Sequence, residues 1–131
     1  MRIHVVTLFP EMFDVPLKAS IMGRAAAGGL VEFILHQLRD YTHDRHRTVD
    51  DEPYGGGPGM VMKPEPLFEA VESILRAEEA ESRPRPRVVL MSAQGRLLTQ
   101  AVAQQLAGEP GLILLCGRYE GVDERVAEHL A

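Results

Sequence analysis

Tryptophan is absent, and the aromatic complement amounts to four phenylalanines and three tyrosines. A core made from this chain must be packed from Leu, Val, Ile, Ala and Met. The single cysteine, Cys116, excludes an intrachain disulfide. Inside an apolar run it reads as a reduced, buried thiol. No apolar stretch approaches the roughly 20 residues that span a bilayer. Met1 to Val6 is too short, and too soon interrupted, for a secretory signal. These absences fit a cytoplasmic protein. An excess of positive charge is missing too: 14 Lys and Arg against 19 Asp and Glu leave a net charge of −5. That argues mildly against a general nucleic-acid binder.

What is present suits one compact domain. The 131 residues are 45% hydrophobic and 25% charged, values ordinary for a globular protein with a single core. Charge is unevenly distributed. Arg39, His43, Arg45, His46 and Arg47 crowd one segment, and Arg83, Arg85 and Arg87 another. Both read first as solvated surface. The neighbouring acids Glu78 and Glu79, and Asp123 and Glu124, diverge in direction on a helix, and also read as solvated faces.

Strand and helix signals alternate along the chain. Ile3 to Phe9 reads as a strand stopped by Pro10, followed by a short helix from Glu11 that Pro16 limits or kinks. Ser20 to Ala27 predicts a second helix capped by Gly28 and Gly29, and Leu30 to Leu35 a second strand. No period is sustained from Arg39 to Pro64, which reads as a long polar loop. Leu67, Phe68, Val71, Ile74 and Leu75 then fall on one helical face, opened by Pro64 and Pro66 and ended by Arg83 to Pro86. Val88 to Met91 is a third strand. Thr99 caps a helix closed by Gly108, Leu112 to Cys116 is a fourth strand, and Asp123 to Leu130 a last helix. Apolar strands alternating with helices predict an α/β fold, a mainly parallel sheet with helices on both faces.

In such sheets ligands sit beyond the carboxyl ends of the strands. Two segments fall there: Met91-Ser92-Ala93-Gln94-Gly95 and Gly117-Arg118-Tyr119-Glu120-Gly121. Glycine lets a ligand approach backbone with no Cβ in the way. The spacing matches neither a dinucleotide fingerprint nor a P-loop, and by itself it leaves open a ligand turn and a plain strand-to-helix turn. A third segment, Thr48 to Met60 with Gly55-Gly56-Gly57, is longer than loops in compact domains usually are, which points to function or disorder. His43-Asp44-Arg45-His46 has no metal-ligand spacing, and arginines between the ligands oppose a cation, so no metal is expected.

Read together, "LFPEMF", "GRAAAGGL", "RDYTHDRHRTVDDEPYGGGPGMVMKPEP", "LMSAQGRLLTQ" and "LLCGRYEGVDERV" resemble, in this order, the bacterial tRNA (guanine-N1)-methyltransferases. The likeness runs from the first residues to the last. It implies a SPOUT-class domain over residues 1–131 that binds S-adenosylmethionine in a deep trefoil knot, an exception to the rule of un-knotted connections. It also implies a homodimer that methylates N1 of the guanine immediately 3′ of the anticodon. Met91, Ser92 and Ala93 would lie along the cofactor, with Gly117, Tyr119, Glu120 and Gly121 as the next wall. Gly59 and the loop around Asp50 would face the cleft and the tRNA of the partner subunit. Ala93 stands where the family usually has proline, which loosens that turn.

The implied chemistry is coherent. N1 of guanine carries a proton at neutral pH, so a base must remove it while the methyl donor lies in line. The guanine must also leave its stack. The family continues past this region with a strand and a Gly-rich loop that complete the knot, then a linker and a helical domain. The resemblance places the aspartate proposed as general base, and an assisting arginine, in that continuation, beyond Ala131. The expectation is therefore an incomplete domain with no catalytic residue of its own, weak in cofactor binding and unable to turn over. The competing expectation is a non-catalytic α/β module for RNA binding or dimerisation. A different nucleotide-using enzyme, with affinity for ATP or a nicotinamide cofactor, is a third.

Overall fold

The computed structural model describes residues 1–43, 50–51, 61–92, 95–117 and 121–122. The chain runs β1 (Arg2–Thr7), α1 (Glu11–Lys18), α2 (Ser20–Ala27), β2 (Glu32–Gln37) and a 3-10 turn (Leu38–Tyr41). It continues through β3 (Asp50–Asp51), β4 (Val61–Met62), α3 (Pro64–Ala80), β5 (Arg87–Met91), α4 (Gln100–Ala107), β6 (Gly111–Cys116) and β7 (Gly121–Val122). The main sheet has the order β2-β1-β6-β5 with every neighbour parallel. Right-handed crossovers are the rule for parallel units. By that rule α1 and α2, leading from β1 outward to β2, lie on the opposite face from α3, which leads back across the sheet to β5. The expected parallel α/β architecture with helices on both faces is what forms.

The α3 face holds the core. Val6 and Leu8 from β1, Val88 from β5, and Ile113 and Leu115 from β6 meet Leu67, Ala70, Val71 and Ile74 of α3, with Leu38 of the 3-10 turn beside them. Leu67, Val71, Ile113 and Leu115 are essentially sealed from water. Each such side chain contributes about 1.5–3 kcal/mol by leaving solvent. The helical period that marked Leu67, Val71 and Ile74 in the sequence is thus the face that packs. On the other face Val5 and Leu112 are buried, but α1, α2 and α4 have no buried residue among those described.

The local differences from expectation have identifiable causes. The second strand begins at Glu32 rather than Leu30, because the Leu30 N–H donates to Ala25 O at 3.0 Å and Gly29 N–H to Ala26 O at 3.2 Å. These two bonds form a Schellman closure of α2, with Gly29 at φ +77°. Helix α1 contains Pro16 and ends two residues later at Lys18, so the proline limits the helix without breaking it. Thr99 caps α4 as expected, its Oγ1 accepting from Val102 N–H at 3.2 Å. The 39–64 stretch is not wholly irregular, since it contributes the 3-10 turn and the two-residue strands β3 and β4. The last helix expected, Asp123 to Leu130, lies outside the described residues.

One correction concerns charge. Glu78 is not on a solvated face; its side chain is 6% exposed and its Oε1 accepts from His4 Nε2 at 2.7 Å and Arg2 Nη1 at 3.1 Å. Burial alone would raise its carboxyl, but the hydrogen bonds and charges of His4 and Arg2 outweigh that and hold it below the usual range. Glu79, one residue on, is exposed as expected.

Candidate functional site

The register of β5 on β6 sets the geometry. Met91 pairs with Cys116, so both strands end at the same level. Ser92 and Gly117 therefore leave the sheet side by side at its carboxyl edge, where parallel sheets receive ligands. The adjacency expected for the two loops is present. Met91 is half exposed, and Ser92 and Gly117 are exposed. Gly95 N–H donates to Ser92 O at 3.3 Å, bending the chain straight after the strand.

A small second sheet joins the remaining pieces. β4 pairs antiparallel with β3 (Asp50↔Met62) and parallel with β7 (Val61↔Gly121). Its order, β3-β4-β7, puts the backbones of Asp50 and Gly121 one strand apart. Gly117 follows β6 of the main sheet, and Gly121 opens β7 of the small one. The structure thus brings Met91, Ser92 and Gly117 together at one edge and sets Asp50 and Gly121 on two strands that flank β4. Ala93, Tyr119, Glu120 and Gly59 lie outside the described residues. So does Ala131, past which the resemblance places the general base. The small sheet had no sequence signal, because two-residue strands carry no measurable period.

Cys116 is partly buried, and that burial pushes its thiol up. It stays a neutral thiol near pH 7 rather than a nucleophile. Among Met91, Ser92, Cys116 and Gly117 no group is suited to take a proton from a substrate. This edge offers main-chain donors and acceptors, one thioether and one hydroxyl, which is equipment for holding a ligand.

Two concavities lie elsewhere. A cleft of about 470 Å³ between α1, α2 and β2 is lined by Phe13, Leu17, Val31, Phe33 and Leu35, away from the strand ends. A smaller one of about 210 Å³ lies between Tyr41 to His43 and the start of α3. At its rim His43 Nε2 meets Glu69 Oε2 at 2.6 Å, so His43 of the basic segment is paired, although exposed. No group of three or more potential metal ligands occurs among the described residues.

The family model described as "tRNA (Guanine-1)-methyltransferase TrmD" matches residues 1–131. The chain belongs to the tRNA (guanine-1)-methyltransferase family. A relative from Dehalococcoides mccartyi, named tRNA (guanine-N(1)-)-methyltransferase, is 56% identical over 131 residues, all of this chain and 51% of its own length. One of the same name from Methylococcus capsulatus is 56% identical over 128 residues, 98% of this chain and 49% of its own. The crystal structure of tRNA (m1G37) methyltransferase from Aquifex aeolicus superimposes with a TM-score of 0.84 at 37% identity, covering 98% of this chain and 56% of that one. The fold of this family member is accordingly that of the SPOUT methyltransferases. It spans about half the length of the curated relatives it matches.

Proposed function

We propose that residues 1–131 are the cofactor-binding part of a tRNA (guanine-N1)-methyltransferase that moves a methyl group from S-adenosylmethionine to N1 of the guanine 3′ of the anticodon. The observation that carries the reading is the Met91↔Cys116 register, which sets two loops of the family side by side at the carboxyl edge of a parallel sheet. These residues suit a nucleoside ligand. Gly117 is exposed and has no side chain to block approach, Ser92 adds a hydroxyl, and Met91 presents apolar surface to a flat ring. S-adenosylmethionine, when held there, supplies the electrophilic methyl group. Met91, Ser92 and Ala93 line one side, and Gly117, Tyr119, Glu120 and Gly121 the other.

In this reading Asp50 and Gly59 face the tRNA and the partner subunit of a homodimer, which the position of Asp50 on the β3-β4-β7 sheet, beside the strand that begins at Gly121, supports. Exposed Met12, Val15, Ile21, Met22 and Leu30 on and after α1 and α2 provide apolar surface for such a partner. The proton on N1 leaves to a base that the described strand ends do not supply, so the role of these residues is to bind and orient the methyl donor.

Calorimetry with S-adenosylhomocysteine tests this on residues 1–131 and on a chain extended to the relatives' length. Binding by the extended chain, weakened at least tenfold by Gly117→Val, is the expected result. No binding by either chain would sink the reading and favour a module that binds RNA or dimerises without chemistry.

A further inference from the structure

The smaller concavity, about 210 Å³ between the 3-10 turn and the start of α3, opens at the same end of the sheet as Met91 and Gly117. The run of α3 fixes this. Its carboxyl-terminal part meets the start of β1, where Arg2 and His4 reach Glu78. Glu65 precedes Glu78 by 13 residues, roughly 20 Å along the axis at 1.5 Å per residue. The six-residue strand β1 covers roughly the same distance at about 3.3 Å per residue. Glu65 is therefore level with the carboxyl edge. Tyr41 follows β2, which stands two strands from β6 in the order β2-β1-β6-β5. Two strand spacings are about 10 Å. The concavity is thus separate from the proposed cofactor wall, yet within reach of the same RNA.

Its walls are held in place by the fold. Tyr41 packs against the core, and its hydroxyl lies 3.4 Å from His36 Nδ1. Pro66 is buried. His43 Nε2 meets both oxygens of Glu69, at 2.8 and 2.6 Å, so that carboxylate is occupied. Two charged groups of the lining, Lys63 and Glu65, have no partner among the described residues. A carboxylate in the first turn of a helix favours the helix by itself. Lys63 does the opposite. It holds the N-cap position of α3 without a side-chain cap and brings positive charge to the positive end of the dipole. Stability does not account for it.

The pair has a chemical complement. An ammonium only donates and a carboxylate only accepts, through two oxygens. The Watson–Crick edge of guanine carries the O6 acceptor and then two adjacent donors, N1–H and N2–H. Adenine and cytosine place an acceptor at the central position, and uracil has one donor between two acceptors. The volume is below the roughly 300 Å³ at which pockets for whole small molecules begin, and suits a single base. Stacked neighbours in a strand are only about 3.4 Å apart, so a base seated here is splayed from its stack, as single-stranded RNA bases are when proteins read them.

We propose that Tyr41, Lys63, Glu65 and Pro66 form a subsite for one unstacked guanine of the tRNA, distinct from the guanine that receives the methyl group. The base lies between Tyr41 and Pro66, Glu65 accepts from N1–H and N2–H, and Lys63 donates to O6. Resting on the methyltransferase reading for its choice of RNA, this subsite gives the chain a second point at which it reads the substrate's sequence.

Nitrogen-15 amide shifts of the 131-residue chain, titrated with the 5′-monophosphates of guanosine, adenosine, cytidine and uridine, test it. Saturable shifts at Thr42, His43, Glu65 and Glu69 are expected with the guanosine nucleotide, at an affinity about fivefold or more above the other three. Glu65→Gln, on an exposed side chain, puts a donor where an acceptor is needed and should abolish that preference. Lys63→Ala should weaken guanosine binding without lowering the thermal midpoint, which a merely structural lysine would lower. No saturable shift with any nucleotide, equal affinities for all four, shifts confined to Ser92 and Gly117, or a preference that survives Glu65→Gln would overturn the proposal. Calorimetry with S-adenosylhomocysteine does not depend on these residues. Cofactor binding without guanine preference removes the subsite alone, and guanine preference without cofactor binding removes the methyltransferase reading instead.

Discussion

Glu78→Ala separates the buried carboxylate from the run of surface acids around it. The substitution leaves the His4 Nε2–H, on a side chain 5% exposed, facing a space without an acceptor. Arg2 fares better, since Glu81 Oε2 at 2.8 Å and Glu32 Oε2 at 3.2 Å remain to hold its guanidinium. An unsatisfied buried donor costs about 1–3 kcal/mol, and loss of a partner from a buried ion pair about 3–5 kcal/mol. Because Arg2 keeps two partners, the expected loss lies between these, about 2–4 kcal/mol. For 131 residues the entropy of unfolding converts each kcal/mol to roughly 4 °C. The midpoint should therefore drop by roughly 8–16 °C. Glu79→Ala, one residue away and exposed, should change stability by less than about 0.5 kcal/mol. Differential scanning calorimetry of both variants at pH 7 is the assay. Equal midpoints for the two would refute the reasoning, because the loss comes from burial and not from the mere presence of a glutamate. The sign with pH is also fixed. A carboxyl held below its usual value stabilises above 4.5 and loses that contribution as acid protonates it, so the gap between wild type and Glu78→Ala should narrow below pH 4.5.

Two further predictions rest on single contacts. A Cβ on Gly23 would crowd the Lys18 carbonyl, standing 2.7 Å from its carbon, a backbone atom where α1 gives way to α2. Gly23→Ala should cost about 1–3 kcal/mol through forced separation of that corner, read as a lower urea midpoint; an unchanged midpoint would show that the two helices do not meet so closely. Cys116, with its thiol raised by burial, should react with iodoacetamide at pH 7.5 at least tenfold more slowly than in the urea-unfolded chain. Equal rates would place the thiol in solvent and undo the packing assigned to the end of β6.

The legible parts of the fold were those with a long apolar period or a named stop signal. Helix α3 repeats Leu67, Val71 and Ile74 over 17 residues, and the capping Thr99 and the Gly28-Gly29 pair mark helix ends by chemistry that does not depend on tertiary context. Leu30 shows where this fails. It is apolar and precedes a strand, yet its N–H serves the closure of α2 and its side chain is exposed. The strand ends of the site were legible because glycines follow apolar runs there. The β3-β4-β7 sheet was not, because its pairing is between residues far apart in sequence and each strand is two residues long.

His4, His36 and Glu78 escaped the sequence for a related reason. Each is a polar residue in a segment whose neighbours decide its element, and nothing local says which partners await it 32 or 74 residues away. In the fold they are consecutive, and no described buried polar side-chain atom lacks a partner. A core that admits a carboxylate, a guanidinium and two imidazoles gives up apolar contact there, and paired buried charges are seldom the most stable filling. What the arrangement supplies instead is direction. Each hydrogen bond is determined by the next, from Arg2 at one edge of the sheet to Tyr41 at the other.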